Sequence, residues 1–591
     1  MRYETAYGTV TLVETVADIV QFETFLTANG TLAVDTETTG LDIFTAEFAV
    51  RLVQFGTATE AYVLELDRHR AVIAEALQRG HRLLMHNAAY DIMVLSIAGV
   101  ATVDQLYPLT HDTRTIAHLL DPRGKQDGAI GHSLKALSDK YVDSQASSSQ
   151  ADLKDIFKDN GWDWRTIPAD HDLYVTYAGM DVLLTSRLYN VLHAMLDAAG
   201  TRLLEFEMRV QAATTRMQMR GMRIDVPYAE SLLPHFDGLA ADGQRRASEW
   251  GVENVNSVKQ VAEVLTALGA NLTELTDNGN VKVDKMVLAK LIAGDNVYAA
   301  ELAQAVSDTK AAKRNRGTYV EKVIAERDAA DRVHPWIHSL QARTARMSVT
   351  NPPLHQLPSG DWRIRRMFIP DDGMTMIAAD YSQVELRVLA VLADERKMID
   401  AVNAGLDLHD VTAVNLFGAD FTKAQRKLAK NVGFGRVYGG GAGTLSRQAG
   451  VPMADAKRAM AGYDASFPGI KRFSKRLQER ASHGKPQVVT PAGRVLPMDR
   501  ERSYTATNYV VQSTARDVLA NAILELEAAG LGDYLLLPIH DEVLCQVPTA
   551  DAAEIAAEVA RVMTVPFGDL TLTAEAEVYG QSWGHGYGAT S

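Results

Sequence analysis

The chain has 591 residues, 47% hydrophobic and 23% charged, with a formal net charge of −14; this is a globular balance, and at roughly 150 residues per domain the length predicts about four domains or fewer large ones. Its single cysteine, Cys545, excludes a disulfide framework and a cysteine-built metal site; no run of about 18 apolar residues predicts a membrane span, and MRYETAYGTVTLVE lacks the apolar core of a signal peptide. The acidic total alone argues against a polyanion partner, but between Phe421 and Arg500 stand 16 Lys and Arg against 4 Asp and Glu, a local excess of +12 that marks either an electropositive groove or a solvated helical surface.

From about residue 10 to 189 the pattern reads as an α/β unit. TLAVDTETTG predicts a strand closed by a glycine turn, RLVQFGTATEAYVLEL two strands around a turn, and RLLMHNAAYDIMVLSIAG a strand running into a helix. The polar SQASSSQADLKD, from Ser144, predicts a loop, and DLYVTYAGMDVLLTSRLYNVLHAML a long amphipathic helix. From Leu188 to about Arg332 the spacing is mostly helical: FEMRVQAATTRMQMRGMRID ends in a glycine turn, and ELAQAVSDTKAAKRNRGTYVEKV carries a basic turn at Lys313, Arg314 and Arg316. Beyond Pro335 helices alternate with strands. MTMIAAD predicts a strand, VELRVLAVLA a helix, FTKAQRKLAKNVGFGRVYGG a helix followed by glycines, and LLLPIHDEVLCQV a hairpin with Asp541 and Glu542 at its turn.

Alternate residues of a strand face one side. Asp35 and Glu37 therefore point together and Thr36 away. Asp91 closes HNAAYD, while Tyr177 and Asp181 stand four apart on one helix face. Four carboxylates can hold two divalent cations, and oxygen donors suit Mg²⁺ or Mn²⁺. Such a pair clamps a phosphodiester for attack by water, which Tyr177 would orient. Taken singly, the acid pair is more often a solvated turn and Tyr177 more often a residue at the rim of the core. Taken together, DTET, the spacing of Asn87 and Asp91, and that of Tyr177 and Asp181 resemble the three motifs of DEDDy 3′–5′ exonucleases over about Leu32 to Leu188. The resemblance implies an RNase H-like domain with Asp35, Glu37, Asp91 and Asp181 as metal ligands.

In MTMIAADYSQVELR, Asp380 ends a strand where the chain turns into a helix, and Asp541 sits at the hairpin turn far along the chain. Brought together, two carboxylates sharing two Mg²⁺ form the core of a nucleotidyl-transfer site; kept apart, the hairpin acids are a polar turn. Arg426, Lys430, Phe434 and Tyr438 recur every four residues and share a helix face, with Thr422 as cap and Gln425 at the capping-box position. Cations suit triphosphate oxygens, aromatics suit base and sugar, and Lys430 suits a proton donor to departing pyrophosphate. The plain alternative is an amphipathic helix with snorkelling cations.

DYSQVELR, the R-x-x-x-K-x-x-x-F-x-x-x-Y-G run from Arg426 to Gly439, and IHDE from Ile539 to Glu542 resemble motifs A, B and C of family A DNA polymerases, the DNA polymerase I type, in order and approximate spacing. ARTARMSVTNPPLHQLP, DLHDVTA, NYVVQSTARD, NVNSVKQ and KRNRGTY have family counterparts, so the resemblance covers about Glu205 to His585. It implies an α/β multidomain chain: an RNase H-like exonuclease domain over 1–190, a mainly helical thumb over 191–335, and palm and fingers over 336–591 with the fingers at about 400–500 of this right hand. Asp380 and Asp541 would hold the catalytic metals, helped by the backbone carbonyl of Tyr381 and organised by Glu542. His540 would contact the primer terminus. Glu385 would be the steric gate against a 2′-OH. Gln383, His409, Arg426 and Lys430 would bind the nucleotide, with Phe434 and Tyr438 packed against it. Arg346, Asn508 and Gln512 would probe the minor groove, and Lys313 and Arg314 would track duplex phosphates.

Four positions depart from the family pattern: Ala345 where Gly is frequent, Tyr504 where Arg is common, and the pair His355–Gln356 in place of Gln–Asn. The expected activity is template-directed addition of dNMP to a primer 3′ end with 3′–5′ proofreading, using two Mg²⁺ per site, replaceable by Mn²⁺. Expected partners are primer-template DNA, dNTPs, a single-stranded 3′ end at the exonuclease site, and replication proteins such as a helicase, a single-strand-binding protein or a processivity factor. A monomer in the cytoplasm, that of a host if the chain is phage-encoded, is expected. The exonuclease motif begins by residue 32, so the 5′ nuclease domain of larger bacterial members is expected to be absent, a layout that resembles bacteriophage polymerases.

Overall fold

The structure is a computed structural model that describes residues 1–590 apart from 147, 148, 277 and 359, with the backbone alone at 149–152 and 448. Two compact units emerge. The first joins Met1–Arg220, Ile337–Ser348 and Ile377–Val578; the second joins Gly221–Trp336, Val349–Met376 and Tyr579–Ser591.

The first unit opens with a seven-stranded sheet in the order β1-β2-β5-β4-β3-β6-β7. Its strands are β1 (Arg2–Thr5), β2 (Gly8–Leu12), β3 (Thr31–Thr38), β4 (Val50–Gly56), β5 (Glu60–Glu65), β6 (Arg82–Met85) and β7 (Thr110–Asp112). β3, β4 and β5 form an antiparallel meander, and β6 and β7 extend it in parallel from β3. Leu32, Ala33 and Val34 are all fully buried, as an apolar run in a strand covered on both faces requires. The helix Asp172–Ala194 lies on this sheet and buries Tyr174, Val175, Ala178 and Val182 against it. Its approach is close: a Cβ on Gly179 would stand 2.4 Å from Val10, so only glycine fits there.

The stretch expected as a loop from Ser144 is a helix at Ser149–Asn160; residues 147 and 148 lie outside the described part. Leu153 and Phe157, one turn apart, explain it, because both pack on the sheet's core and Phe157 meets Trp164 edge-on at 5.0 Å. The serines that suggested a loop precede this apolar pair.

A second sheet, most of whose residues belong to the first unit, has the order Leu535–Ile539, Glu542–Pro548, Met374–Tyr381, Ala574–Gly580. The hairpin pairs Ile539 with Glu542, leaving His540 and Asp541 as a two-residue turn with His540 at φ 57°. The helix Ala506–Ala528 is buried along most of its length. A buried ionic cluster ties it to the helix Ala198–Arg220: Glu207 accepts from Arg516 at 2.6 and 2.7 Å and from Arg494 at 2.5 Å, and Asp517 accepts from Arg494 at 2.9 Å. Further helices include Val384–Leu392, Leu408–Phe417 and Lys423–Val437, the last begun by the capping box expected at Thr422 and Gln425.

In the second unit, helices Val226–Glu249 and Val297–Arg314 share a core with Val255, Val261 and Leu265. The expected basic turn is helical: Val297–Arg314 runs on through a π-helical stretch, Asn315–Glu321, into Lys322–Ala325. Tyr319 and Val320 are buried there, and Tyr319 Oη donates to the Gln356 carbonyl at 3.0 Å. Among the described residues no helix is long and apolar enough to cross a membrane.

Candidate active sites

The first acidic centre forms on β3 and the helix facing it. Ligand atoms of Asp35, Glu37 and Asp181 lie within 4.8 Å of one another. Burial, followed by Asp91, Asp181 and Glu37 around it, pushes the Asp35 carboxyl well above the usual range. Burial and Asp181 do the same to Glu37. Asp91 is pushed up to about 7, chiefly by burial. Tyr177, one turn before Asp181, is held firmly as the neutral phenol by burial and by the acids beside it. Buried acids that resist ionisation until a cation arrives are the donor set expected of a hard divalent metal, so the residues fit one.

Thr36 was expected to point away from this centre; its hydroxyl donates to Asp91 Oδ1 at 2.7 Å. The bond holds the fourth acid beside β3, close enough for its charge to raise Asp35, although Asp91 is not one of the three clustered ligands. Behind it, Asp112 accepts backbone N–H groups from Asn87 at 2.9 Å and Ala88 at 3.2 Å, and Asn87 takes φ 70° at the start of the helix Ala88–Ile97. Sequence reasoning missed Lys135. Its ammonium pairs with Asp181 and stands 4.8 Å from the Tyr177 ring centroid, and the side chain is only 13% exposed. It rides on the helix Leu134–Tyr141, capped by Ser133, and no spacing links it to the acidic motifs.

The second acidic centre forms where the Met374–Tyr381 strand meets the hairpin. The Tyr381 N–H donates to the Asp541 carbonyl at 3.2 Å, so Asp380, near the end of its strand, lies beside the turn residue Asp541, which precedes the neighbouring strand Glu542–Pro548. Burial, then Asp380 and Glu385, push Asp541 up to about 6, and Asp380 is raised by burial and by Glu575. Tyr381 is buried, its hydroxyl donating to the Met563 carbonyl at 2.5 Å. Glu385 is 8% exposed, ion-paired with Arg346 and accepting from Tyr438 Oη at 3.0 Å. Thr344 donates to Gln512 at 3.3 Å beside Arg346, and Asn508 lies one turn before Gln512 on the same helix. His540 is exposed, and Glu542 begins the outgoing hairpin strand.

The helix Lys423–Val437 presents the expected face. Lys430 Nζ is 5.9 Å from the Phe434 ring centroid, Phe434 and Tyr438 stack at 6.1 Å, and His409 meets Phe434 at 5.6 Å. Tyr438 is the helix C-cap. Gly439 follows at φ 71°, where a Cβ would stand 2.1 Å from the Tyr504 carbonyl oxygen, so the turn needs glycine. Arg426 and Gln383 both reach Asp407, at 3.1 and 2.8 Å, and Arg426 also pairs with Asp410. Lys313 and Arg314 are exposed in the last turn of the helix Val297–Arg314, in the second unit.

A family model described as DNA polymerase family A matches residues 237–585, and one described as 3′–5′ exonuclease matches 10–197. The chain is 39% identical to the DNA polymerase of Mycobacterium phage D29 and 37% identical to that of Mycobacterium phage L5, with 98% of both chains covered in each case. It is 30% identical to DNA polymerase I of Chloroflexus aurantiacus over 84% of this chain and 54% of that one. The solved POL domain of Pol1 from M. smegmatis, in complex with DNA primer-template and dNTP, shares the fold at TM-score 0.81 and 22% identity, covering 97% of this chain and 99% of that one. Fold and relatives together define a DNA polymerase with an exonuclease domain ahead of it. The chain belongs to DNA polymerase family A, and its exonuclease domain is of the 3′–5′ type.

Proposed function

We propose that the chain adds deoxynucleotides to a primer 3′ end under the direction of a template at the Asp380–Asp541 centre, and proofreads at the Asp35–Glu37–Asp91–Asp181 centre. One observation carries the reading: two acids 161 positions apart in the sequence come together, Asp380 near the end of a strand and Asp541 in the turn beside it, joined by the 3.2 Å bond from the Tyr381 N–H to the Asp541 carbonyl. Mg²⁺, or Mn²⁺ in its place, would be held by Asp380, Asp541 and the Tyr381 carbonyl at one centre and by the four exonuclease acids at the other. Bound there, it supplies charge neutralisation and an activated oxygen nucleophile.

The chain's own residues do the remaining work. Glu385, fixed by Tyr438 and Arg346, fills the space a 2′-OH needs and so rejects ribonucleotides. Gln383, His409, Arg426 and Lys430 receive the triphosphate, and Lys430 Nζ gives a proton to the departing pyrophosphate. Phe434 and Tyr438 pack on the incoming nucleotide. Arg346, Asn508 and Gln512 meet the minor groove, whose acceptors are alike for either orientation of a pair. His540 and Glu542 face the primer terminus. At the other centre Tyr177, kept neutral, orients the attacking water over a single-stranded 3′ end. Lys313 and Arg314 hold duplex phosphates in a sequence-blind, salt-dependent manner. Primer-template DNA and dNTPs are the partners, and the unit of action is a monomer.

Primer extension and single-strand digestion test this with wild type, Asp541→Ala and Asp35→Ala. Asp541→Ala stops extension and spares digestion, whereas Asp35→Ala does the reverse. Equal loss of both activities in both variants would refute two separate centres. Glu385→Ala raises ribonucleotide incorporation, and unchanged sugar selectivity would remove the gate.

A further inference from the structure

Two of the side chains assigned to the triphosphate already hold anions of the protein itself. Arg426 pairs through Nε with Asp410 and through Nη2 with Asp407 Oδ2, the latter at 3.1 Å. Gln383 Nε2 donates to the same Asp407 oxygen at 2.8 Å. The two acids differ in their other duties. Asp407 caps the helix Leu408–Phe417, its Oδ1 accepting the N–H groups of His409 and Asp410 at 2.7 and 2.9 Å. Asp410 lies in the first turn of that helix, where an acid is favoured by the helix dipole, but its carboxylate makes no cap and turns to Arg426 across the gap between two helices. A guanidinium binds carboxylate and phosphate through the same fork of N–H donors, so the two ligands exclude one another at one edge.

We propose that Asp410 is an internal anion that competes with the triphosphate for Arg426 and thereby sets nucleotide affinity. Nucleotide enters by anion exchange: the triphosphate takes the guanidinium edge that Asp410 gives up, while Asp407 remains as the helix cap. The inference rests on the reading of Arg426 as a triphosphate ligand. Arg426 and Asp410 side chains are 40% and 47% exposed. An exposed pair of that kind shifts an equilibrium by up to about fivefold.

The test uses the full chain on primer-template DNA with a dideoxy-terminated primer, so that binding is read without chemistry. Asp410→Asn lowers the dissociation constant of the correct dNTP by about two- to fivefold. It does the same for inorganic tripolyphosphate and leaves the matching nucleoside unchanged. In the Arg426→Ala background the same substitution has no effect. Single-turnover extension at saturating dNTP keeps its rate. Asp410→Ala repeats the measurement should the asparagine variant misfold. An unchanged or weakened dNTP affinity overturns the proposal, and so does an equal shift for the nucleoside or an undiminished gain in the Arg426→Ala background. If Arg426→Ala itself fails to weaken triphosphate binding, the assignment of Arg426 falls instead. If it does weaken binding while Asp410→Asn changes nothing, only the competition falls.

Discussion

Replacing Ala345 with glycine is expected to leave stability almost unchanged, although it deletes a methyl group with no exposure to solvent. Ala345 sits at φ 61° in a turn closed by its own N–H to the Ala342 carbonyl at 2.8 Å and by the Ala342 N–H to the Arg346 carbonyl at 3.3 Å. Left-handed backbone costs an alanine about 1–2 kcal/mol. Glycine removes that cost, gives up about 0.8 kcal/mol of methyl burial, and frees the unfolded chain by about 0.4–1 kcal/mol. The balance lies within about 1 kcal/mol of zero. Ala522 is the control, 1% exposed inside the helix Ala506–Ala528. Its replacement by glycine relieves no strain, loses the same methyl and pays helix propensity, about 1.8 kcal/mol in all. Ala345→Val puts a β-branched side chain into the same left-handed backbone without space for it and is the most damaging of the three. Thermal unfolding measured side by side should rank wild type and Ala345→Gly together, then Ala522→Gly, then Ala345→Val. A drop for Ala345→Gly equal to that for Ala522→Gly would refute the strain argument.

Glu207→Ala strips the buried cluster of its main acid and leaves Arg494 and Arg516 facing only Asp517, a loss on the order of 3–5 kcal/mol seen as a lower unfolding midpoint in denaturant; a change near zero would mean the cluster is hydrated. Asp541 and Asp91, raised to about 6 and about 7, keep their protons in the fold at a pH where the unfolded chain has lost them. Their contribution to metal-free stability is therefore present below pH about 4 and disappears as pH climbs to about 7. Because a divalent cation needs the ionised carboxylates, Mg²⁺ or Mn²⁺ should raise the melting temperature more at pH 8 than at pH 5, and equal shifts would contradict this. Lys135→Met should lower single-strand digestion by about tenfold or more, on the order of a lost charge-assisted contact, while leaving primer extension intact; unchanged digestion would make the lysine a mere neighbour.

Local patterns reached far in this chain. The two-residue period placed Asp35 and Glu37 together, the four-residue period placed Lys430, Phe434 and Tyr438 on one face, and the Thr422 capping box formed as read. What stayed hidden is mostly long-range or masked by composition. Nothing near Lys135 in the sequence connects it to Asp181, and nothing near Glu207 connects it to Arg494 or Arg516. The serines before Leu153 hid a helix whose apolar pair is only one turn long. Thr36 shows the limit of the strand rule. Its hydroxyl still joins the acidic set, because it donates to Asp91, which the helix Ala88–Ile97 brings within hydrogen-bond reach.

Ala345 stands where the resemblance led to an expectation of glycine, and its surroundings explain how alanine is tolerated. A strained residue persists when its neighbours over-determine the backbone, and both sides of this turn are pinned. On one side Arg343 donates to Asp499 at 2.9 Å and to the Pro497 carbonyl at 3.1 Å, lies 3.5 Å from Asp127, and has its guanidinium 5.4 Å from the Tyr509 ring. On the other, Arg346 is locked to Glu385, which Tyr438 holds in turn. The carbonyl of Ala342 meets His118 at 3.2 Å, and Gln341 accepts from Arg114, the residue that also donates to Asn87 of the exonuclease motif. One short segment therefore touches the helix that follows the exonuclease strands and, a few residues on, the acid assigned to sugar selection. Several independent ion pairs of modest strength suffice to hold about 1–2 kcal/mol of backbone strain. A glycine there would need no such anchoring, so the anchoring matters because the residue is alanine: losing the partners should cost more with Ala345 than with glycine in its place.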